Sequence, residues 1–321
     1  MQTKPKLKER FTTICHQAGL RRNTEQAYWH WARAFVHWSG AKSEVDLVSN
    51  CDERVSDFLT AQSERGCAVA TQAQALNALV FLFDSVLDHP LGKLDYQRPH
   101  RPTRLPSVPA NHDATMTLLD ALPGQIGLIC RLIYGAALRI NDCLRIRLHD
   151  LDFEQNEIRI MDSKGGKDRL VPMPMKLRAE LLALVTAREA EHLREVRNAS
   201  GWVYLPGLIG KKNPKAHYST DWQYLFAARD YTKDPRSGIY GRHHITPEAV
   251  QTAMRKVCRT LKLKKNITPH GLRHAAARRM KEKGIPLHTI QTVLGHDDPA
   301  TTMRYLGLGE TVPKGVSPLD L

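Results

Sequence analysis

Apolar side chains recur at helical spacing through the first ninety residues of the chain. Residues 23–26 read Asn-Thr-Glu-Gln, a capping-box pattern that predicts the start of an amphipathic helix. Further helices are predicted over 52–64, ended by Gly66, and over 69–87. Their apolar stripes predict a packed core rather than a base-stacking platform. These stripes contain Tyr28, Trp31, Phe35 and Trp38 in the first helix and Leu76, Leu79, Phe83 and Val86 in the last.

A proline-rich segment interrupts this helical pattern. Residues 97–109 contain four prolines and three arginines. Such a segment stays extended, so it predicts a basic linker between two domains. We therefore expect a helical N-terminal domain over 1–98, a linker over 99–109 and a second domain over 110–321.

The second domain begins with helical spacing over residues 115–148. A charged amphipathic helix is predicted from 177 to 196, with Leu181, Leu182 and Val185 facing inward. Residues 198–233 show no clear period, and a further helix is predicted over 247–263.

A β-hairpin is predicted between these helices. Residues 157–161 and 169–173 have strand-like patterns, and the glycines in 162–168 fit a tight turn. Lys164 and Lys167 lie in that turn, where they can reach a DNA groove or an active site, although hairpin lysines are usually solvated. The predicted fold class is mainly α with a small antiparallel β-sheet.

The last fifty residues concentrate side chains that can bind a phosphate. His270, Arg273 and His274 have i, i+3 and i+4 spacing, so on a helix they share one face. A Gly-Ile-Pro sequence ends that helix and can open the next one. His296 follows a glycine expected to cap this second helix, and Tyr305 lies nine residues later.

The charge balance favours an anionic partner. The chain has 321 residues and contains 47 Lys+Arg against 33 Asp+Glu, a formal net charge of +14. Basicity on this scale favours nucleic acid, although a basic protein without such a partner is the alternative.

Membrane insertion and secretion are not expected. No window of 18 apolar residues exists, and residues 1–10 lack the apolar centre of a signal peptide. The six cysteines are scattered without a Cys-x-x-Cys pair, which is typical of reduced thiols in a cytoplasmic protein.

Three residue types together favour phosphoryl-transfer chemistry. Arg139 and Arg273 suit bidentate binding of non-bridging phosphate oxygens. Lys164, with Lys167 as the alternative, suits proton donation to a leaving alkoxide. Tyr305 suits nucleophilic attack, provided that its neighbours activate a phenol whose ordinary pKa is about 10.

Structural roles are the alternatives for these residues. Arg139 lies close enough in sequence to pair with Asp142 or Asp150, and an isolated tyrosine such as Tyr305 is usually a core residue. The spacing of Tyr305 from the histidine and arginine motifs favours the catalytic role.

Neither a metal nor a cofactor is expected. His270 and His274 have the spacing of zinc ligands, but the glutamate of the His-Glu-x-x-His motif is missing and Arg273 would repel a cation. No Asp/Glu cluster for Mg²⁺ stands out in the sequence, so we expect metal-free chemistry.

The ordered set of motifs resembles the tyrosine recombinase (phage integrase) family. The resemblance covers nearly the whole chain, including the Thr-Glu-Gln-Ala-Tyr sequence of the first predicted helix. It implies a two-domain clamp on DNA, with a helical SAM-like core-binding domain and a mixed α/β catalytic domain. The residues that carry it are Arg139, Lys164, His270, Arg273, His274, Leu294, Gly295, His296 and Tyr305.

The family resemblance also implies roles. Tyr305 would attack the scissile phosphate and form a 3′-phosphotyrosine, while Arg139 and Arg273 hold the phosphate. His296 would hydrogen-bond the phosphate, His270 would accept a proton or stabilise the site, and Lys164 would protonate the leaving 5′ oxygen. His274 is expected to support these groups. The arrangement implies a homo-tetramer on paired DNA sites.

A narrower resemblance, to integron integrases, rests on residues 198–244 and on the tail 306–321. It implies integration and excision of gene cassettes at folded single-stranded sites, and a tail that docks onto a neighbouring protomer. Trp222 would stack on an extrahelical base, with ordinary packing as the alternative role. The other residues implied in this pocket are Pro235, His243 and His244.

Further DNA contacts are predicted at Lys167 and at Arg21 and Arg22, which lie at a helix end. The sequence departs from the usual family pattern at Asn141, Asp142, Ala275, Ala276 and Leu306, which leaves the level of activity open. Two other functions use the same residues. They are a type IB topoisomerase-like nicking-closing enzyme and a DNA-binding protein whose catalytic site has decayed.

Overall fold

The computed structural model describes residues 6–99, 112–161, 168–234 and 237–306. The chain divides into two compact units, Met1–Leu105 and Pro106–Leu321. Helices dominate both units, and the second unit also contains small antiparallel sheets. The predicted fold class is confirmed.

The first unit packs its helices around aromatic side chains. The Phe35 ring meets the rings of Phe58 and Phe83 edge-on, with centroids 5.5 and 5.7 Å apart. Within the predicted aromatic stripe Phe35 is fully buried, and Tyr28 and Trp31 pack against the core as expected. Trp38 departs from this prediction, because it is 37% exposed. The helices are α1 (Leu7–Gln17), α2 (Arg22–Ser39), α3 (Glu44–Val48), α4 (Cys51–Glu64) and α5 (Val69–Phe81), and a π-helical turn (Leu82–Val86) continues α5.

The predicted capping box at residues 23–26 is wrong. Helix α2 begins at Arg22, with Arg21 in extended backbone as its N-cap, so the Asn-Thr-Glu-Gln sequence lies inside the first turn. The reason is the tight connection from α1. Gly19 adopts a left-handed conformation with φ of 66°, and the Leu20 amide donates back to the Cys15 carbonyl.

The chain that leaves the first unit is anchored to α4. The buried Gln72 side chain donates to the carbonyls of Leu59 and Gln97, at 2.9 and 2.8 Å. The Gly92 amide donates to the Asp52 carboxylate at 2.9 Å. These bonds hold the extended segment through residue 97 against the helical unit.

The second unit is built around α7, whose apolar side chains lie at the centre of the largest core cluster. None of the described helices in either unit is long and apolar enough to cross a membrane. The elements are α6 (His112–Ala121), α7 (Gly124–Gly135), α8 (Ile140–Leu144), β1 (Leu151–Asp152), β2 (Glu157–Ile160), β3 (Arg169–Pro172), α9 (Arg178–Arg197), α10 (Ile209–Lys212), β4 (Ala227–Lys233), β5 (Tyr240–His244), α11 (Pro247–Thr260), α12 (Pro269–Glu282), α13 (Leu287–Leu294) and α14 (Pro299–Tyr305).

The predicted hairpin is present as β2 and β3, which pair antiparallel with Ile158 opposite Val171. Both of these side chains are buried, so the apolar face of the hairpin packs on the core. Strand β1 extends this sheet on the other side of β2. Residues 162–167 of the connecting turn lie outside the described residues.

The long helix α9 corrects one predicted orientation. Leu181 is fully buried as expected, but Leu182 is 43% exposed. Buried charged residues take much of the inward face further along the helix. The Glu195 carboxylate forms an ion pair with Arg242 of β5 at 2.8 Å. Within α9, the Arg188 guanidinium pairs with Glu191. Helix α9 therefore supports the β4–β5 hairpin through ion pairs.

Residues 198–233, which show no clear hydrophobic period, form short helical turns followed by β4. Arg147 anchors this region to the rest of the unit. Its guanidinium donates to the carbonyls of Trp222 and Tyr204, at 2.6 and 2.9 Å, and lies 3.7 Å from the centre of the Tyr224 ring. The segment of residues 198–233 is thus held by one buried arginine at several points.

Candidate active site

Helix α12 presents the His-x-x-Arg-His motif on one face, as the spacing predicted. The Thr268 hydroxyl caps the helix by accepting from the Gly271 amide at 3.0 Å, and Pro269 occupies the first turn. Arg273 is only 1% exposed, whereas His274 is partly exposed. The cap and the proline fix the helix start, and with it the orientation of the motif.

Arg273 is held by backbone carbonyls. It donates to Ala137 at 2.8 Å and to Leu294 at 2.5 Å, and its Nη2 lies 3.2 Å from His296 Nε2. Burial lowers the pKa of Arg273 to about 10, and the nearby charge of Arg139 is the next cause of this shift. A second cationic group beside a buried arginine favours an anion between them.

The loop after α13 places His296. Gly295 ends the helix in a left-handed conformation with φ of 61°, as the sequence predicted. The Gln291 carbonyl accepts from the His296 amide, and the Gln291 side chain donates to the His296 carbonyl. His296 Nδ1 lies 3.0 Å from the hydroxyl of Thr302, a buried residue of α14. The ring is therefore fixed through both its backbone and its side chain.

Arg139 reaches the same loop from α8. It is the N-cap residue of that helix, and its Nη2 donates to the Gly295 carbonyl at 3.2 Å. Asp142 lies 3.6 Å from Arg139 Nη1 and accepts a 2.8 Å bond from Arg169. The alternative of a salt bridge between Arg139 and Asp142 is thus observed. Asp150 instead accepts from the Arg147 amide.

Tyr305 lies among three histidine rings. The His274 ring stacks on it, with centroids 3.3 Å apart and planes at 13°. The His270 and His296 rings meet it edge-on at 5.6 and 5.3 Å. Burial raises the pKa of Tyr305 to about 12, and the positive charge of Arg273 opposes this rise. No described residue satisfies hydrogen-bond geometry at the buried hydroxyl.

The two motif histidines are neutral at pH 7. Burial lowers the pKa of His270, helped by the charges of Arg273 and Arg139. Burial also lowers the pKa of His274 to about 4, with His270 as the next cause. A neutral imidazole can accept a proton, so His270, whose ring meets the phenol ring edge-on, suits the role of a base.

Five of the six predicted catalytic residues converge around the α13–α14 loop. The sixth, Lys164, lies outside the described residues, as do the predicted DNA contacts Lys167 and Pro235. The described residues contain no group of three or more His, Cys, Asp or Glu side chains placed to hold a metal. The converging residues are Arg139, His270, Arg273, His296 and Tyr305.

The other predicted DNA contacts of the second unit pack against residues outside this cluster. Trp222 is half-buried and packs edge-on against the His149 ring at 4.4 Å, so ordinary packing accounts for part of its surface. His243 is exposed and lies 5.2 Å from the Tyr224 ring, while His244 packs beside both. Arg21 and Arg22, at the start of α2, are exposed.

Sequence reasoning missed two residues that shape the site. Arg169 follows the hairpin turn and bonds Asp142, and Thr302 bonds His296. His274, expected to support the site, stacks on Tyr305. The i, i+4 spacing from His270 already placed His274 on the active face. Nothing in the local sequence distinguishes Thr302 from its neighbour Thr301, because only the fold decides which hydroxyl faces the histidine.

Comparison with known families agrees with this geometry. The phage integrase family model matches residues 111–310, and a model of the phage integrase N-terminal SAM-like domain matches residues 7–93. The chain belongs to the phage integrase family. It is thus a tyrosine recombinase, an enzyme that transfers DNA strands in site-specific recombination.

Individual relatives cover most of the chain. Proteins named integrase/recombinase from Escherichia coli and from Pseudomonas aeruginosa are each 35% identical over 298 residues, which is 92% of this chain and 88% of theirs. The tyrosine recombinase XerA of Pyrococcus furiosus is 25% identical over 303 residues, covering 92% of this chain and 87% of its own.

Solved structures show the same fold at lower identity. A lambda integrase dimer bound to a COC′ core site has a TM-score of 0.59 and 13% identity, covering 97% of this chain and 98% of its own. The Tn1549 transposon integrase in complex with a circular intermediate DNA also has a TM-score of 0.59, with 16% identity and coverage of 93% and 94%.

Proposed function

We propose that this recombinase is an integron integrase, which integrates and excises gene cassettes at folded single-stranded DNA sites. The observation that carries the catalytic part is the position of Tyr305 among His270, His274 and His296, beside the buried Arg273. The insert over 198–244 and its resemblance to integron integrases carry the choice of substrate.

Arg139 and Arg273 are the proposed phosphate ligands. Both donate to the loop that carries His296. Of the two guanidinium groups, Asp142 lies at contact distance from that of Arg139. A phosphodiester is an anion with two non-bridging oxygens, and two guanidinium forks match that geometry. Their charge also stabilises the additional negative charge of a pentavalent transition state.

Tyr305 is the proposed nucleophile. Its Oη attacks phosphorus, the bond to the 5′ oxygen breaks, and the product is a 3′-phosphotyrosine with a free 5′-hydroxyl. The phenol proton passes to neutral His270, and Lys164 supplies the proton for the leaving 5′ oxygen. One phosphoester is exchanged for another, so strand rejoining reverses the same step without consuming ATP.

Phosphate contacts outside the active site are proposed on both units. Helix α11 presents a basic face that contains Arg255, Lys256 and Arg259 with two threonines. The first unit contributes Arg21 and Arg22 at the N-terminus of α2, a favourable place for an anion. Such contacts bind the DNA backbone irrespective of sequence.

The insert is the proposed reader of extrahelical bases. Trp222 keeps part of its ring exposed while His149 packs against it, and His243 is exposed on β5. Stacking of a base on such a ring contributes roughly 1–3 kcal/mol, enough to select among sites. We include Pro235, His244 and Lys167 in this DNA surface, on resemblance and sequence position.

The chain is proposed to work as a homo-tetramer on two synapsed sites, with residues 1–98 as core-binding domain, 99–109 as linker and 110–321 as catalytic domain. Its tail over 306–321 would dock onto a neighbouring protomer. Mass photometry of the protein with paired DNA sites should show four protomers per complex, and a complex of only two protomers would contradict this assembly.

The catalytic proposal is tested by trapping the covalent adduct. Wild-type protein is incubated with a nicked suicide substrate of the integron attachment-site type, and denaturing gels detect protein–DNA adducts. Tyr305→Phe should form none, whereas Tyr134→Phe, which removes another half-buried hydroxyl of the same unit, should form wild-type amounts. Adducts with Tyr305→Phe would refute the assignment of the nucleophile.

The substrate proposal is tested by strand preference. The two strands of one attachment site are folded separately as hairpins, and recombination is measured on each and on the duplex. A strong preference for one folded strand is expected, and Trp222→Ala should reduce it more than Trp222→Phe. Equal use of both strands and of the duplex would assign the chain to another branch of the family.

A further inference from the structure

The Thr302 hydroxyl lies behind the His296 ring, on the side away from Arg273. Its Oγ1 is 3.0 Å from His296 Nδ1, while Nε2 of the same ring is 3.2 Å from Arg273 Nη2. Thr302 is fully buried, at 0% exposure, so solvent does not replace its hydroxyl. The two ring nitrogens of His296 thus face partners of different hydrogen-bonding character.

These partners determine which nitrogen carries the proton. A guanidinium only donates hydrogen bonds, so Nε2 of His296 accepts from Arg273 in this arrangement. A neutral imidazole that accepts at Nε2 carries its proton at Nδ1. That N–H therefore donates to the Thr302 hydroxyl, which acts here as an acceptor.

Phosphate binding requires the opposite arrangement. To donate to a phosphate oxygen, His296 must carry a proton on Nε2, and its Nδ1 then needs a donor. A hydroxyl both donates and accepts, and it changes role by rotating about one bond. The change of tautomer moves one proton from Nδ1 to Nε2, so the imidazole gains no net charge.

We infer that Thr302 is a positioning residue that supports both tautomers of His296 and so lets the ring change from acceptor to phosphate donor. This inference rests on the proposed phosphate-binding role of His296. Valine has nearly the shape of threonine but has no hydroxyl, so Thr302→Val removes the bond and keeps the packing. Thr302→Ser keeps the hydroxyl.

The first test needs no DNA. Nitrogen-15 NMR of histidine-labelled full-length protein distinguishes the two neutral tautomers, and His296→Gln identifies the resonance among the 15 histidines. Wild type and Thr302→Ser should show the Nδ1–H tautomer of His296, and Thr302→Val, which leaves that N–H without its acceptor, should shift the Nδ1 resonance. An Nε2–H tautomer in free wild-type protein, or an unchanged spectrum in Thr302→Val, would overturn the inference.

The second test measures the rate of adduct formation on the suicide substrate. Thr302→Val should be slower by about ten- to hundredfold, the range for losing one partner of a buried hydrogen bond, and Thr302→Ser should stay within a few fold of wild type. Thr301→Val is the matched control, because Thr301 is exposed and bonds Asp298 instead. It should react at the wild-type rate.

The possible failures are distinguishable. If Thr302→Val reacts at the wild-type rate, or if Thr302→Ser is as slow as Thr302→Val, the positioning role is wrong while the proposed function stands. If wild-type protein forms no adduct at all, the proposed function fails. The measurement on free protein then still decides whether Thr302 hydrogen-bonds Nδ1 of His296.

Discussion

Replacing Gly295 by alanine should disturb the site through Arg169, a residue distant from it in sequence. Gly295 has a φ of +61°, a conformation that costs an L-residue about 1–2 kcal/mol. A β-carbon there would also lie 2.9 Å from Arg169 Cδ and 3.0 Å from its Nε. Arg169 is held by a 2.8 Å ion pair with Asp142, so it cannot move aside without straining that bond.

The expected cost is the sum of these two effects. Losing a hydrogen bond to a charged, mostly buried partner costs about 1.5–3 kcal/mol, so Gly295→Ala should destabilise the second unit by roughly 2.5–5 kcal/mol. Gly284→Ala is the matched control. Gly284 also follows a helix with positive φ, at +75°, but nothing lies within 4 Å of its added β-carbon. It should cost only the backbone term, about 1–2 kcal/mol.

Hydrogen exchange in increasing urea, read by mass spectrometry on the full chain, separates the stabilities of the two units. The decisive measurement is a double-mutant cycle, since Arg169→Ala removes the atoms that the new β-carbon would meet. In that background Gly295→Ala should cost about as much as Gly284→Ala does. The reasoning is refuted if Gly295→Ala and Gly284→Ala cost the same in the wild-type background, or if Arg169→Ala leaves the penalty unchanged.

Three further variants test other parts of the molecule. Arg147→Leu should raise the rate of hydrogen exchange throughout residues 202–244, because two carbonyls lose a buried donor. Each loss costs about 1–3 kcal/mol, and exchange rates equal to those of wild type would contradict the anchoring role. Gln72→Leu should release the segment around Gln97, at a similar cost for each lost hydrogen bond. Proteolysis near Gln97 should then be faster than in wild type, and an unchanged rate of cleavage would contradict this role of Gln72. His274 has a folded pKa of about 4, so below its ordinary pKa of about 6.5 the unfolded chain binds a proton that the folded chain does not. The free energy of unfolding should therefore fall as the pH drops from about 6.5 to about 4, by at most about 1.4 kcal/mol per pH unit from this group. His274→Gln should reduce this dependence on pH. Plots of the free energy of unfolding against pH that run parallel for wild type and His274→Gln would contradict the lowered pKa of His274.

The sequence by itself determined the helices and the order of the candidate catalytic residues along the chain. The i, i+3, i+4 spacing placed His270, Arg273 and His274 on one helix face, and glycine at position 295 predicted the helix cap. These features depend on interactions within a few residues. Local spacing fixes the helical face, and the preference of glycine for a left-handed backbone fixes the end of the helix.

Only the tertiary structure decided how the site is assembled. Arg139 and Arg273 are 134 positions apart, yet both donate to the loop at residues 294–296. Arg169 and Thr302 have no distinguishing local pattern, and they become important because the fold brings Asp142 and His296 to them. A buried charge or hydroxyl must find a partner wherever the chain supplies one, and packing across the whole unit chooses that partner.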